Sequence, residues 1–395
     1  MNPYDIATIL ERIIASEKRA IDLIFSPDHP PKIIVEGRLD MTPLKDLKTM
    51  SAYQVEMLAL NLLKDRPRAL ETFAKTGSVD TSIELESVGR FRVNIFLQKN
   101  MPAVIMRAIP PNVPTFENLG LPDTARGLGG QGGGLSLVTG LSGSGKSTTL
   151  AAVINQFNME IPCHIITIED PIEFVFPSVK CIVHQREVGV DTGNAAEAMA
   201  AALRQAPQVI MISRLTTREC IETALEAAEN GILVLSTLPV SGPDQAIEHL
   251  VNAFPADQEF IVRGRLAQAF RCIVSQRLIP RKDGRGRAAA VSILKSNSRT
   301  RNYILQARRD PQLLEDAMRD GNMDGMQTLQ MDLERLVKAD VIAPESVAQY
   351  LPKTVKPAAK PKPPKAAAAP SQSPGSGNRL LELEDLDGPI LGLDT

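Results

Sequence analysis

A glycine-rich loop set between an apolar run and a run of helix formers constrains this chain more than any other stretch. Residues 134–150 read GLSLVTGLSGSGKSTTL. Gly140, Gly145, Lys146 and Ser147 fall in the order G-x-x-x-x-G-K-S/T, the spacing of a phosphate-binding loop. Glycine tolerates the left-handed backbone angles that turn successive N–H groups inward around a phosphate chain. The lysine brings a point charge toward the β- and γ-phosphates. The hydroxyl after it can ligate Mg²⁺, and a helix N-terminus behind the loop favours anions. Such a loop needs a strand before it and a helix after it. The sequence offers both, at residues 135–139 and 147–157. The residues placed on the phosphates are Gly140, Ser142, Gly143, Ser144, Gly145, Lys146, Ser147 and Thr148. Holding a nucleoside triphosphate and hydrolysing it are separate questions.

With 395 residues there is room for two domains and a tail. A formal charge of −2, no tryptophan and 4% aromatic residues give neither a basic footprint nor a stacking platform, so no nucleic-acid partner is expected. Cys163, Cys181, Cys220 and Cys272 are scattered and form no C-x-x-C pair, which argues for thiols rather than zinc. The first residues, MNPYDIATILERIIASEKRA, carry Asp5 and Glu11 inside their apolar pattern and do not read as a signal peptide. No apolar run approaches the ~18 residues of a membrane span. A cytoplasmic protein is the expectation.

Around the loop, periodicity predicts a helix over 4–18, strands at 23–25 and 32–35 with a turn at Glu36-Gly37, a helix over 53–63, and strands at 79–85, 90–96 and 103–108. This α+β block ends at the proline-rich run 110–114, which cannot continue a helix. Strands at 135–139, 164–168, 209–213 and 232–237 then alternate with helices at 147–157, 195–205 and 218–229. Short buried strands alternating with helices predict a largely parallel sheet covered on both faces, a RecA-like α/β fold. Further helices are expected over 266–279 and 326–337. The predicted division is 1–112, 113–352 and 353–395. In the last segment Lys, Pro, Ala and Ser give way to the acidic, leucine-bearing RLLELEDLDGPILGLDT. That segment is expected to be a disordered tether, ending either as a plain tail or as a docking peptide for a partner not identified by the sequence.

Several stretches then point the same way: TGLSGSGKSTT, TIEDPIEF, HQREVGVDT, ALRQAP, FPADQ, SQRLIPR and GMQTL. Together they resemble the secretion-superfamily ATPases and, within them, the type IV pilus retraction motors PilT and PilU, with REVGVDT…ALRQAP…TRE closer to PilU. The resemblance implies a PAS-like N-terminal domain, a RecA-like domain, ATP with Mg²⁺ between them, and a cytoplasmic hexameric ring acting on the inner-membrane pilus platform. It also implies that N-terminal arginines reach the phosphates, here Arg90, Arg92 and Arg107. Glu169-Asp170 matches the family's Asp box, with Glu169 as the catalytic candidate and Asp170 beside Ser147 as a Mg²⁺ ligand.

The chain departs from that family where hydrolysis is carried out. The family's second acidic site is a glutamate after an apolar strand. Here VIMI is followed by Ser213-Arg214, and a guanidinium has no acceptor with which to take a proton from water. Ile232 and Pro239 stand at the two histidine places of the His box, and only Arg301-Asn302 remains of a further motif. The readings left open are a competent motor with Glu169 or Glu219 replacing the missing base, a nucleotide-binding pseudo-ATPase joining or modulating a paralogous motor, and an adaptor working through its tail. The coherent set of losses favours the second.

Overall fold

The computed structural model describes residues 6–16, 20–35, 38–41, 48–85, 88–109, 112–130, 132–306 and 310–350. Two units divide the chain, Met1–Leu351 and Pro352–Thr395. The expected turn at Glu36-Gly37, the prolines Pro110-Pro111 and the tail 353–395 lie outside the described residues.

Six strands form the first sheet: β1 Ala20–Phe25, β2 Lys32–Val35, β3 Arg38–Met41, β4 Ser78–Leu85, β5 Gly89–Gln98 and β6 Met101–Ala108, ordered β3-β2-β1-β6-β5-β4. All neighbours are antiparallel. Alternation along β5 buries Phe91, Val93 and Ile95, so Arg90 and Arg92 share the opposite face. On that face the register sets Asp22, Arg107, Arg92 and Ser82 side by side across β1, β6, β5 and β4. The helix Ala52–Leu63 covers the apolar face with Val55, Leu58, Ala59, Leu62 and Leu63. Its start is fixed by a capping box between Ser51 and Gln54. Two elements were not foreseen here, β3 and the helix Pro67–Thr76. The latter buries Ala69 and packs Leu70 and Phe73 partly against the same core, apolar residues at helical spacing that the periodicity reading passed over.

The second sheet has seven strands: β7 Gly134–Thr139, β8 His164–Glu169, β9 Ile182–Glu187, β10 Val209–Ile212, β11 Leu233–Leu238, β12 Phe270–Pro280 and β13 Arg287–Lys295, ordered β13-β12-β7-β11-β10-β8-β9. Every pairing is parallel except β12 with β13. β7, β10 and β11 are buried at every residue, as strands covered on both faces must be. One apolar cluster lies over each face.

The expected helix over 266–279 is corrected. A helix runs Glu259–Ala269, and the chain then enters β12. β7 would otherwise have an unpaired edge. Residues 270–279 pair with it on one side and with β13 on the other, burying Cys272, Ile273 and Val274. A short apolar run of this kind does not distinguish helix from strand by itself. β9 and β13 were also missed. The expected helix 195–205 is α-helical over Ala195–Ala202 and ends in a 3₁₀ turn, Leu203–Gln205. Among the described residues no helix is long and apolar enough to cross a membrane.

Candidate nucleotide site

β7 delivers the glycine-rich loop from the centre of the sheet, with β11 and β12 on either side. Gly140, Gly143 and Gly145 have φ of 150°, 74° and 88°, values that side chains resist. At Gly140 space is also limiting, because a Cβ there would run into Ser144 Oγ and the Gln276 carbonyl. The helix Lys146–Glu160 begins immediately behind the loop, and no side chain caps it. Its first N–H groups are therefore left for an anion. Lys146 Nζ lies back across the loop, donating to the Gly140 and Leu141 carbonyls at 2.8 and 2.9 Å. Burial lowers its pKa, and the charge of Arg214 lowers it further. Ser142, Gly143 and Ser147 are exposed, Thr148 is half-buried, and Ser144 Oγ is buried without a hydrogen-bond partner.

One residue that shapes the loop was not singled out from the sequence. Gln276 of β12 donates through Nε2 to the Ser144 carbonyl at 2.7 Å and accepts from Thr149 Oγ1 at 2.7 Å. It thereby joins the loop to the first helical turn. Its segment, SQRLIPR, carries part of the family resemblance and overlaps the helix expected over 266–279. Only the strand β12 brings it beside β7.

The acidic stretch at the end of β8 is divided by strand alternation. Glu169 points inward, 6% exposed, its Oε1 accepting from Thr167 Oγ1 at 2.6 Å and Gln185 Nε2 at 3.0 Å. Burial pushes its carboxyl up to about 7. Asp170 follows at the accessible strand end. Desolvation and the nearby Asp80 raise its pKa, while Arg92 and Arg214 act in the opposite sense. Arg214, just past β10, is exposed and makes no hydrogen bond or ion pair among the described residues. Its charge is felt at both Lys146 and Asp170. For Mg²⁺, then, Ser147 offers a hydroxyl and Asp170 a carboxylate, with a guanidinium nearby that opposes a divalent cation. Pro239 follows the Leu238 carbonyl that accepts from Gly140 N–H at 3.3 Å, so it adjoins the base of the loop. Ile232 packs against the apolar cluster instead of presenting a polar group. Glu219 lies exposed in the first turn of Arg218–Glu229.

Arg90 and Arg92 reach the segment after Asp170 while Arg107 is held by Asp22, and none of the three hydrogen-bonds the loop among the described residues. Arg90 Nε donates to the Ile172 carbonyl at 3.1 Å, and its guanidinium reaches Ser82 and Glu84. Arg92 stands 3.9 Å from Glu173 and 3.7 Å from Asp80. Arg107 is held bidentately by Asp22 at 2.6 and 3.0 Å, which raises its pKa. The sequence reading also missed Glu187, a 2%-exposed carboxylate at the end of β9 that takes hydrogen bonds from both sheets' sides. Within HQREVGVDT no residue type or spacing marks it.

The family described as type II/IV secretion system protein matches residues 51–330. The chain is similar to the type IV pilus retraction ATPase PilT of Pseudomonas aeruginosa, 39% identical over 86% of this chain and 96% of the relative. To the type IV pilus ATPase PilU of the same organism it is 36% identical, over 81% and 82% respectively. Overall identity therefore does not single out the PilU side that the REVGVDT form suggested. The crystal structure of the pilus retraction motor PilT with bound ADP matches with a TM-score of 0.78 and 37% identity, covering 89% of this chain and 98% of that one.

Proposed function

The chain belongs to the type IV pilus retraction ATPase family, PilT/PilU, and on that premise we propose that it holds ATP without efficient hydrolysis and serves as an accessory or regulatory subunit of a pilus motor. The observation that carries this reading is Arg214. It stands where the family's glutamate would prepare the attacking water, beside a phosphate loop that keeps every residue of its pattern. A positioned base contributes about 10²–10⁴-fold to rate, and arginine cannot replace it. A guanidinium can instead donate to γ-phosphate oxygens. Lys146 and Arg214 are assigned to the phosphates, with the N–H groups of residues 140–148 around them. Ser147 and Asp170 would hold Mg²⁺, whose contribution is to neutralise phosphate charge. Arg90, Arg92 and Arg107 would come into play at the N-terminal side of the nucleotide. The division at residues 112 and 352, a ring with itself or with a paralogous motor, a cytoplasmic place at the inner-membrane pilus platform, and a partner for the tail belong to the same reading.

The test is steady-state phosphate release by the purified protein beside Lys146→Ala, with a titration of a fluorescent ATP analogue in the presence and absence of Mg²⁺. The reading expects tight binding that Lys146→Ala abolishes, weak dependence on Mg²⁺, and no phosphate release above that variant. Fast release lost in Lys146→Ala would establish a working motor instead. In that case Glu169 and Glu219 are the candidate bases, and Glu169 is the one whose carboxyl is raised. A pKa near 7 suits a base, but its oxygen is held by Thr167 and Gln185.

A further inference from the structure

Glu187 is almost wholly buried, at 2% exposure, and such a carboxylate survives in a fold only when its oxygens are met by donors. Its donors come from two directions. On the N-terminal side, Thr81 Oγ1 donates to Oε1 at 3.1 Å, the Ser82 N–H at 3.0 Å, and the Ser82 hydroxyl to Oε2. Arg66 and Arg90 stand 3.9 and 3.6 Å away with compensating charge. On the other side the Ile172 N–H donates to Oε2 at 3.2 Å. Ile172 lies two residues after Asp170, and its carbonyl is taken by Arg90 Nε at 3.1 Å. The peptide groups on both sides of Ile172 are thus fixed, one by Glu187 and one by Arg90, while Arg90 also donates to the Ser82 hydroxyl. The Glu187 backbone in turn pairs in register with Glu169. A further bond, Arg68 Nη1 to the Val190 carbonyl at 3.2 Å, lands on the same turn.

We propose that Glu187 is a positioning residue that links the acidic segment after β8, assigned above to Mg²⁺ at the phosphates, to strand β4 of the N-terminal sheet, so that nucleotide occupancy at one is felt at the other. Among the described residues the Glu187 side chain makes no hydrogen bond to the phosphate loop. It acts through Ile172 and Ser82. A shift of residues 170–172 toward bound phosphate draws on the same oxygen that Ser82 engages. Movement of β4 away would leave a buried charge short of donors, and low dielectric makes such a gap costly. The link is therefore cooperative, with both ends engaged or both strained. It needs no hydrolysis, but it rests on the loop binding ATP.

Hydrogen exchange on the full chain, with and without saturating ATP, tests this beside a fluorescent titration that reports binding separately. In the wild type, ATP is expected to slow exchange in residues 140–148, 170–173 and 78–85. In Glu187→Gln the titration still reports binding and 140–148 is still slowed, but the slowing at 78–85 is lost. Ser82→Ala, which keeps the buried charge and its other donors, gives a reduced response at 78–85 and serves where Glu187→Gln does not fold. A merely structural role would lower the melting temperature of both variants and leave the response of β4 to ATP intact. Undiminished slowing at 78–85 in the variants overturns the link. So does a silent β4 in a wild type that binds ATP. Failure to bind ATP overturns it together with the nucleotide reading, and the titration distinguishes that case.

Discussion

At the scale of single residues, the site is a contrast between a complete phosphate loop and its neighbours. Arg214→Glu restores an acceptor at the end of β10 and removes a cation that Lys146 and Asp170 both sense. It is expected to make nucleotide binding strongly Mg²⁺-dependent and to raise phosphate release, read by titration with a chelator and by steady-state assay. Release would remain well below that of a full motor, because Ile232 and Pro239 still lack the polar groups of the His box. Gly140→Ala is expected to abolish nucleotide binding, since its Cβ meets backbone at Gln276 and the residue sits at φ 150°. Gln276→Ala leaves the Ser144 carbonyl and the Thr149 hydroxyl without their partner. It should cost about 1–3 kcal/mol in denaturant unfolding and weaken ATP binding by loosening the loop. Of these residues, Arg214, Ile232 and Pro239 were legible as departures from a pattern. Gln276 and Glu187 were not, because their meaning depends on what they touch from another strand.

At the scale of elements, the strands that carry the site were read best where burial made them most uniform. β7, β10 and β11 are predominantly apolar runs bounded by glycine or polar residues, and their positions follow from that pattern. β12 was misread because FRCIVSQRLI lacks clear alternation and its strand state is imposed by β7 and β13. Ile273→Ala in that strand removes a 1%-exposed side chain from the cluster beneath the loop. It should cost about 2–5 kcal/mol, measured as a lowered denaturation midpoint. Ser51→Ala, which opens the capping box of Ala52–Leu63, should cost only about 1 kcal/mol by the same measure. The helix Pro67–Thr76 packs Ala69, Leu70 and Phe73 toward its sheet, and Arg66 and Arg68 at its start reach Glu187 and Val190.

At the scale of the whole molecule, the sequence by itself determined that a loop of phosphate-binding pattern sits after a buried strand, that an α+β block precedes it, and that Arg214, Ile232 and Pro239 depart from the pattern the resemblance leads one to expect. These follow from local matters: which residues tolerate left-handed backbone, which carry charge, and which repeat with helical or strand period. Deleting residues 353–395 is expected to leave the melting temperature of the Met1–Leu351 unit unchanged, since residues 353–378, rich in Lys, Pro, Ala and Ser, offer no apolar face to bury. Tertiary structure alone decided which distant residues meet. It brought Gln276 under the loop, turned Glu169 inward and left Asp170 outward, and set Arg90 and Arg92 on Ile172 and Glu173, and Arg107 on Asp22, instead of on the loop. It also buried Glu187 between two sheets. Strand pairing and register set these encounters, over a separation of 16 residues between Glu169 and Gln185 and of 132 between Ser144 and Gln276. No local propensity encodes them, because the energy of a buried charge or a hydrogen bond depends on the partner the fold supplies.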